Sequence, residues 1–128
     1  MNDKPIFSIG KQKAGRDIYN IARDLNINQT SPAEDVLTIM KAIQQKVDEL
    51  DIAEKDKKRI ANQIEGAKIK LEDEKPDKKS IVESIKKTNE ILQQAKTTGE
   101  TLKDIGVLVG KAAIWLGTTA AKLGWIFS

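Results

Sequence analysis

Apolar residues return every three or four positions from Val36 onward, through Ile39 or Met40, Ile43, Val47 and Leu50, while Lys41, Gln44, Gln45 and Asp48 fall outside that stripe. This is the period of an amphipathic helix. Ser31-Pro32-Ala33-Glu34 ahead of it reads as a start signal, with serine as N-cap, proline at the first helical position and glutamate reaching back from the third. Asp51-Ile52-Ala53-Glu54 repeats the signal, and Ile60, Ile64, Ala67 and Leu71 form the seam of a second helix. Pro76 disfavours helix at Lys75, Asp77 is placed to cap a new helix, and Ile81, Val82, Ile85, Ile91 and Leu92 mark this third one. Connections this short predict antiparallel hairpins.

Thr97-Thr98-Gly99 predicts a bend, after which the pattern changes. From Leu102 to Phe127 the chain is apolar and glycine-rich, with Lys111 and Lys122 as its charges after Asp104. Drawn as one helix, Asp104, Lys111, Thr118 and Lys122 fall within about 40° of one another and make a narrow polar line. The opposite side collects Gly106, Gly110, Ala113, Gly117, Ala120 and Gly124, alternately four and three apart. Glycine costs roughly 1 kcal/mol per position in a water-exposed helix, so such a seam is expected to serve close helix packing, as small residues do in membranes. A helix from Ile105 to Phe127 would be about 35 Å long, enough for a hydrocarbon core of about 30 Å. Both lysines would be within snorkelling reach of the interfaces, with Trp125 and Phe127 at one boundary. A polar line on such a helix suits the wet side of an assembled pore. A buried central helix in a soluble bundle, with Trp115 and Trp125 filling its core, is the competing expectation.

The first thirty residues lack a sustained helical period. Short alternating pieces stand in its place, and an Arg-Asp-aliphatic unit recurs after seven residues, at Arg16-Asp17-Ile18 and Arg23-Asp24-Leu25. Strands this short bury a face when copies stack, so Ile18, Tyr19, Ile21, Leu25 and Ile27 are candidate assembly residues. A disordered or loosely docked leader, and a short helix over residues 18–25, are the other readings of this tract. Ile9-Gly10 followed by Gly15-Arg16-Asp17-Ile18-Tyr19-Asn20-Ile21 resembles the glycine-punctuated leaders of bacterial cell-death and defence proteins, related in style to amyloid signalling motifs. The helices after it, with Lys75-Pro76-Asp77-Lys78-Lys79 and Ile81 to Leu92, are similar to the small helical domain that accompanies such leaders. The resemblance implies a self-assembling effector, often membrane-active, switched on by nucleated assembly or by an upstream activating protein.

Composition narrows the chemistry further. There is no Cys and no His, which removes thiolate nucleophiles, imidazole bases and the usual zinc ligands. Gly10 and Gly15 lack the Lys-Ser or Lys-Thr of a phosphate loop, and carboxylate pairs such as Glu72 with Glu74 or Asp48 with Asp51 sit where helix ends and solvent explain them. No enzyme, catalytic residue, metal or cofactor is expected. The net charge is +3, and the basic run Lys57-Lys58-Arg59 lies among Glu54, Asp56 and Glu65, a solvated helix face rather than a nucleic-acid surface. The opening MNDKPIFSIGKQ does not read as a secretory signal, so the cytoplasm is the expected place of synthesis.

These readings combine into an all-α protein of antiparallel helical hairpins, three to four helices, with an irregular or short-β leader. Residues 1–30 form the leader, 31–98 a charged amphipathic helical region and 99–128 the glycine-rich apolar helix. The expected function is self-assembly that perturbs or perforates a membrane from its inner face, with the chain itself and lipid as partners. The alternative is a non-lytic assembly, adaptor or filament protein whose last helix is buried between protein surfaces.

Overall fold

The computed structural model describes residues 18–96 and 99–117, and these fold as an all-helical unit with five helices and no strand among the described residues. Helix α1 covers residues 18–24, followed by α2 (Ala33–Asp48), α3 (Glu54–Leu71), α4 (Lys78–Ala95) and α5 (Glu100–Leu116). The predicted seams are the observed core. Val36, Ile39, Met40, Ile43, Val47 and Leu50 are buried, as are Ile60, Ile64, Ala67 and Leu71 and then Ile81, Val82, Ile85, Ile91 and Leu92. Packing follows chain order from α2 to α3 and from α3 to α4, while α5 lies chiefly on α2 and touches α4 lightly.

The helix starts are less regular than their sequence signals. Asp77 caps α4, its carboxylate accepting from the backbone N–H of Lys79 (3.1 Å) and Ser80 (3.4 Å) and from the Ser80 hydroxyl (2.8 Å). These bonds favour the charged form and hold the Asp77 carboxyl below its ordinary range, the Ser80 hydroxyl contributing most. Ser31 does not cap α2. Its Oγ accepts from the Asn28 N–H (2.9 Å) inside a turn that Asn28 closes on Thr30, and Pro32 takes the cap position instead. Ala53, without a capping side chain, occupies the same place before α3. Here Lys57 Nζ reaches back to the Asp48 carbonyl (2.9 Å), satisfying the end of α2 rather than the start of α3.

Two expectations need correction. In the single chain residues 18–24 are not short-β but take the alternative expected for them, a short helix, because Ile18, Tyr19, Ala22 and Leu25 lie on one side at helical spacing and find an apolar surface to cover. Ala22 is 0% exposed and belongs to the same core as α2–α5. The continuous C-terminal helix also fails. Gly117, at φ 67° and ψ −131°, ends α5 after 17 residues. Among the described residues no helix is long and apolar enough to cross a membrane.

Candidate functional site

Among the four longer helices α5 carries the fewest charged side chains, and its environment divides it into three faces. Leu102, Ile105, Gly106, Leu108, Val109, Ala112, Trp115 and Leu116 are buried. Val107 (44% exposed) and Ile114 (53%) leave an outer apolar strip with Gly110 between them. Asp104 and Lys111, the described half of the predicted polar line, are half-buried at the border of the two.

Neither charge is left to solvent alone. The Tyr19 hydroxyl donates to Asp104 Oδ1 at 3.2 Å, and Lys46 Nζ of α2 stands 3.4 Å from Asp104 Oδ2. Lys111 Nζ donates to the Leu25 carbonyl at 2.8 Å. One turn further on, the Trp115 indole N–H donates to the Ser31 carbonyl at 2.9 Å. The partners are separated in sequence by 85, 86 and 84 residues in that order. So near-constant an offset means that residues 19–31 run along α5 in its own direction, covering Asp104 to Trp115, about 16 Å of helix.

Cations gather round this seam. Lys46 Nζ lies 4.6 Å from the Tyr19 ring centroid and the Arg23 guanidinium 5.7 Å from it, both within cation–π range. Burial raises the Tyr19 hydroxyl pKa above its ordinary value, and the neighbouring Asp104 carboxylate raises it further by opposing a second negative charge. At the far end, Lys78 Nζ donates to the Trp115 carbonyl at 2.8 Å and stands 4.3 Å from the Trp115 ring centroid. A cation at the last turn of α5 is also where the helix dipole favours one.

The predicted small-residue seam is divided in this form. Gly106 is buried and Ala113 half-buried, but a Cβ at Gly110 would meet nothing within 4 Å. Gly117 ends the helix, and a Cβ there would stand 3.1 Å from the Gln29 side chain. Ala120, Gly124, Thr118, Lys122, Trp125 and Phe127 lie outside the described residues. Among the candidate assembly residues, Ile18, Tyr19, Leu25 and Ile27 are half-buried against the core and Ile21 is 51% exposed.

What sequence reasoning missed is the pairing itself. Tyr19 belongs by pattern with the assembly residues and Asp104 with the pore line, and no local pattern joins positions 85 apart. Side-chain patterns carry no signal for it, because two of the three acceptors, at Leu25 and Ser31, are backbone carbonyls. Of the concave surfaces, a groove of about 240 Å³ between α3 and α4 is lined by Arg59, Asn62, Gln63, Lys87, Glu90 and Gln94 around Ile91, an open polar surface without a nucleophile and base in register. Among the described residues no group of acidic side chains is placed to hold a metal ion. Comparison of the chain with protein-family models, with curated proteins and with solved structures finds no match.

Proposed function

We propose that the chain is a non-enzymatic, self-assembling effector that perturbs a membrane, and that the closed bundle is its resting form. The observation that carries this reading is the treatment of α5. Its apolar arc is packed on α2, its two half-buried charges are engaged by partners inside the chain, and Val107, Gly110 and Ile114 remain as an apolar strip on the surface. At about 25 Å, α5 is shorter than a hydrocarbon core of about 30 Å, so the membrane action that fits it is insertion at the interface rather than a single-pass span. Val107 and Ile114 would enter first, with Lys103 beside them toward the headgroups. Copies would then associate through Gly110, where backbones can approach closely. The short α2–α3 and α3–α4 connections suit an antiparallel scaffold on which α5 stays packed while its outer strip meets lipid. The natural setting of such an effector is the inner face of a membrane, with an upstream protein supplying the trigger.

Dye release from anionic vesicles tests this directly, because Val107 and Ile114 are exposed and can be changed without disturbing the core. Val107→Glu with Ile114→Glu should abolish release while leaving the helical circular dichroism intact. Equal release by the variant and the parent protein would remove α5 from the mechanism. A second reading is favoured by the open side of Gly110: the strip packs copies together in water. Large assemblies over sealed vesicles, lost on Gly110→Leu, would establish that reading in place of the membrane one.

A further inference from the structure

Three side-chain hydrogen bonds along α5 lead to one short stretch of chain. Asp104, Lys111 and Trp115 are joined to Tyr19, Leu25 and Ser31, whereas Lys46 and Lys78 supply further polar ties. Polar anchoring of this kind contrasts with the apolar anchoring of the same stretch. Between residues 18 and 31 Ala22 alone is fully buried, and Asn20, Ile21, Arg23, Asp24, Asn26 and Asn28–Thr30 are exposed. A segment with one small fully buried side chain, with Ile18, Tyr19, Leu25 and Ile27 only half-buried on the core, and with a few part-exposed hydrogen bonds sits at the low-stability end of a fold, able to open while the rest persists. The four longer helices have the opposite balance, since each buries four or more side chains in the shared core.

We propose that residues 18–31 are an autoinhibitory latch over α5, opened without unfolding α2–α4. Opening withdraws the Tyr19 hydroxyl from Asp104, the Leu25 carbonyl from Lys111 and the Ser31 carbonyl from Trp115, and bares about three turns of α5 along its charged border. Tyr19 also belongs to the string Gly15–Ile21, whose pattern suits self-assembly. A second copy of the chain that pairs with Ile18, Tyr19 and Ile21 must take Tyr19 from Asp104, so docking on α5 and pairing between copies exclude each other. Assembly of leaders and exposure of the charged border of α5 are then one equilibrium, each favouring the other. The latch rests on the membrane reading for its purpose, not for its existence.

The chain has no cysteine, which makes the test clean. Cysteines introduced at the exposed Asn20 and Lys103 serve two ends: spin labels report their separation, and a short bis-maleimide tether holds the latch closed. Tyr19→Phe with Lys111→Met removes two of the three bonds while keeping ring and stem. Hydrogen exchange on the full chain should show residues 18–31 opening about tenfold or more readily in the double variant, with protection of α2–α4 unchanged and the label separation broadened. Vesicle leakage should rise in the double variant and fall in the tethered protein. If residues 18–31 lose protection only together with α2–α4, there is no latch. Vesicle leakage that ignores both the variant and the tether would overturn the latch and leave the membrane reading standing. Opening without leakage in any form would do the reverse.

Discussion

Tyr19 is the chain's single tyrosine, so its ionisation can be followed without interference. Its hydroxyl faces Asp104 from α5, with Lys46 of α2 and Arg23 of its own helix on the ring, and burial together with the Asp104 carboxylate raises its pKa above the ordinary 10.0. The neutral phenol is the form the folded protein prefers. A folded pKa above the unfolded one means that the stabilisation is complete below the unfolded value and is lost as pH climbs through the folded value. Tyrosinate absorbance should therefore rise late in the intact protein, and Asp104→Asn should bring the midpoint down toward 10.0. A midpoint indifferent to Asp104 would mean that the hydrogen bond does not persist in solution. Lys111 illustrates the same border differently. Its bond to a backbone carbonyl at 2.8 Å is invisible to a sequence reading that places it in a lumen, since a main-chain acceptor leaves no mark in side-chain patterns.

At the scale of elements, legibility followed locality. The seams of α2, α3 and α4 were readable because period 3.6 is a local property, and Asp77 because a cap and its amides lie within three residues. Ser31 misled because a turn built on Asn28 used its hydroxyl, and Asp51 because the cap position before α3 fell to Ala53, two residues further on. The length of α5 was misjudged since glycine lowers helix propensity without dictating which glycine stops the helix. Two glycines now make opposite predictions. Gly110 has helical neighbours on both sides and open space at its Cβ, so Gly110→Ala should stabilise the bundle by about 0.5–1 kcal/mol. Gly117 has φ 67° and a Cβ position 3.1 Å from Gln29, so Gly117→Ala should destabilise it by roughly 1–2 kcal/mol. Urea titration followed by circular dichroism reads both. Stabilisation by Ala at position 117 would mean that α5 runs on beyond Leu116 in solution.

For the molecule as a whole, the question is how many cooperative units the core contains. One contiguous cluster joins Ile39 and Ile43 of α2, Ile60 and Ile64 of α3, Ile81 and Leu92 of α4, and Ile105 and Leu108 of α5. A shared core makes α5 part of the global unit even though it borders α4 lightly, because α2 packs against both α3 and α5. The latch shares this core through Ala22 alone among its fully buried residues. Two kinds of substitution should therefore behave differently. Ile81→Ala and Ile105→Ala each delete a side chain that is 0% exposed, and each should move one common urea transition by about 2–5 kcal/mol, seen alike by circular dichroism and by Trp115 emission in a Trp125→Phe background. Tyr19→Phe with Lys111→Met should leave that common transition almost in place, since the bonds it removes are broken before the core opens. Should Ile105→Ala split the transition, with Trp115 reporting early and the remaining helices late, α5 would be a unit in its own right, held to the bundle by α2 contacts weak enough to melt separately. Exposure of α5 would then need no latch to control it, and the hydrogen-bonded border from Asp104 to Trp115 would serve alignment rather than restraint.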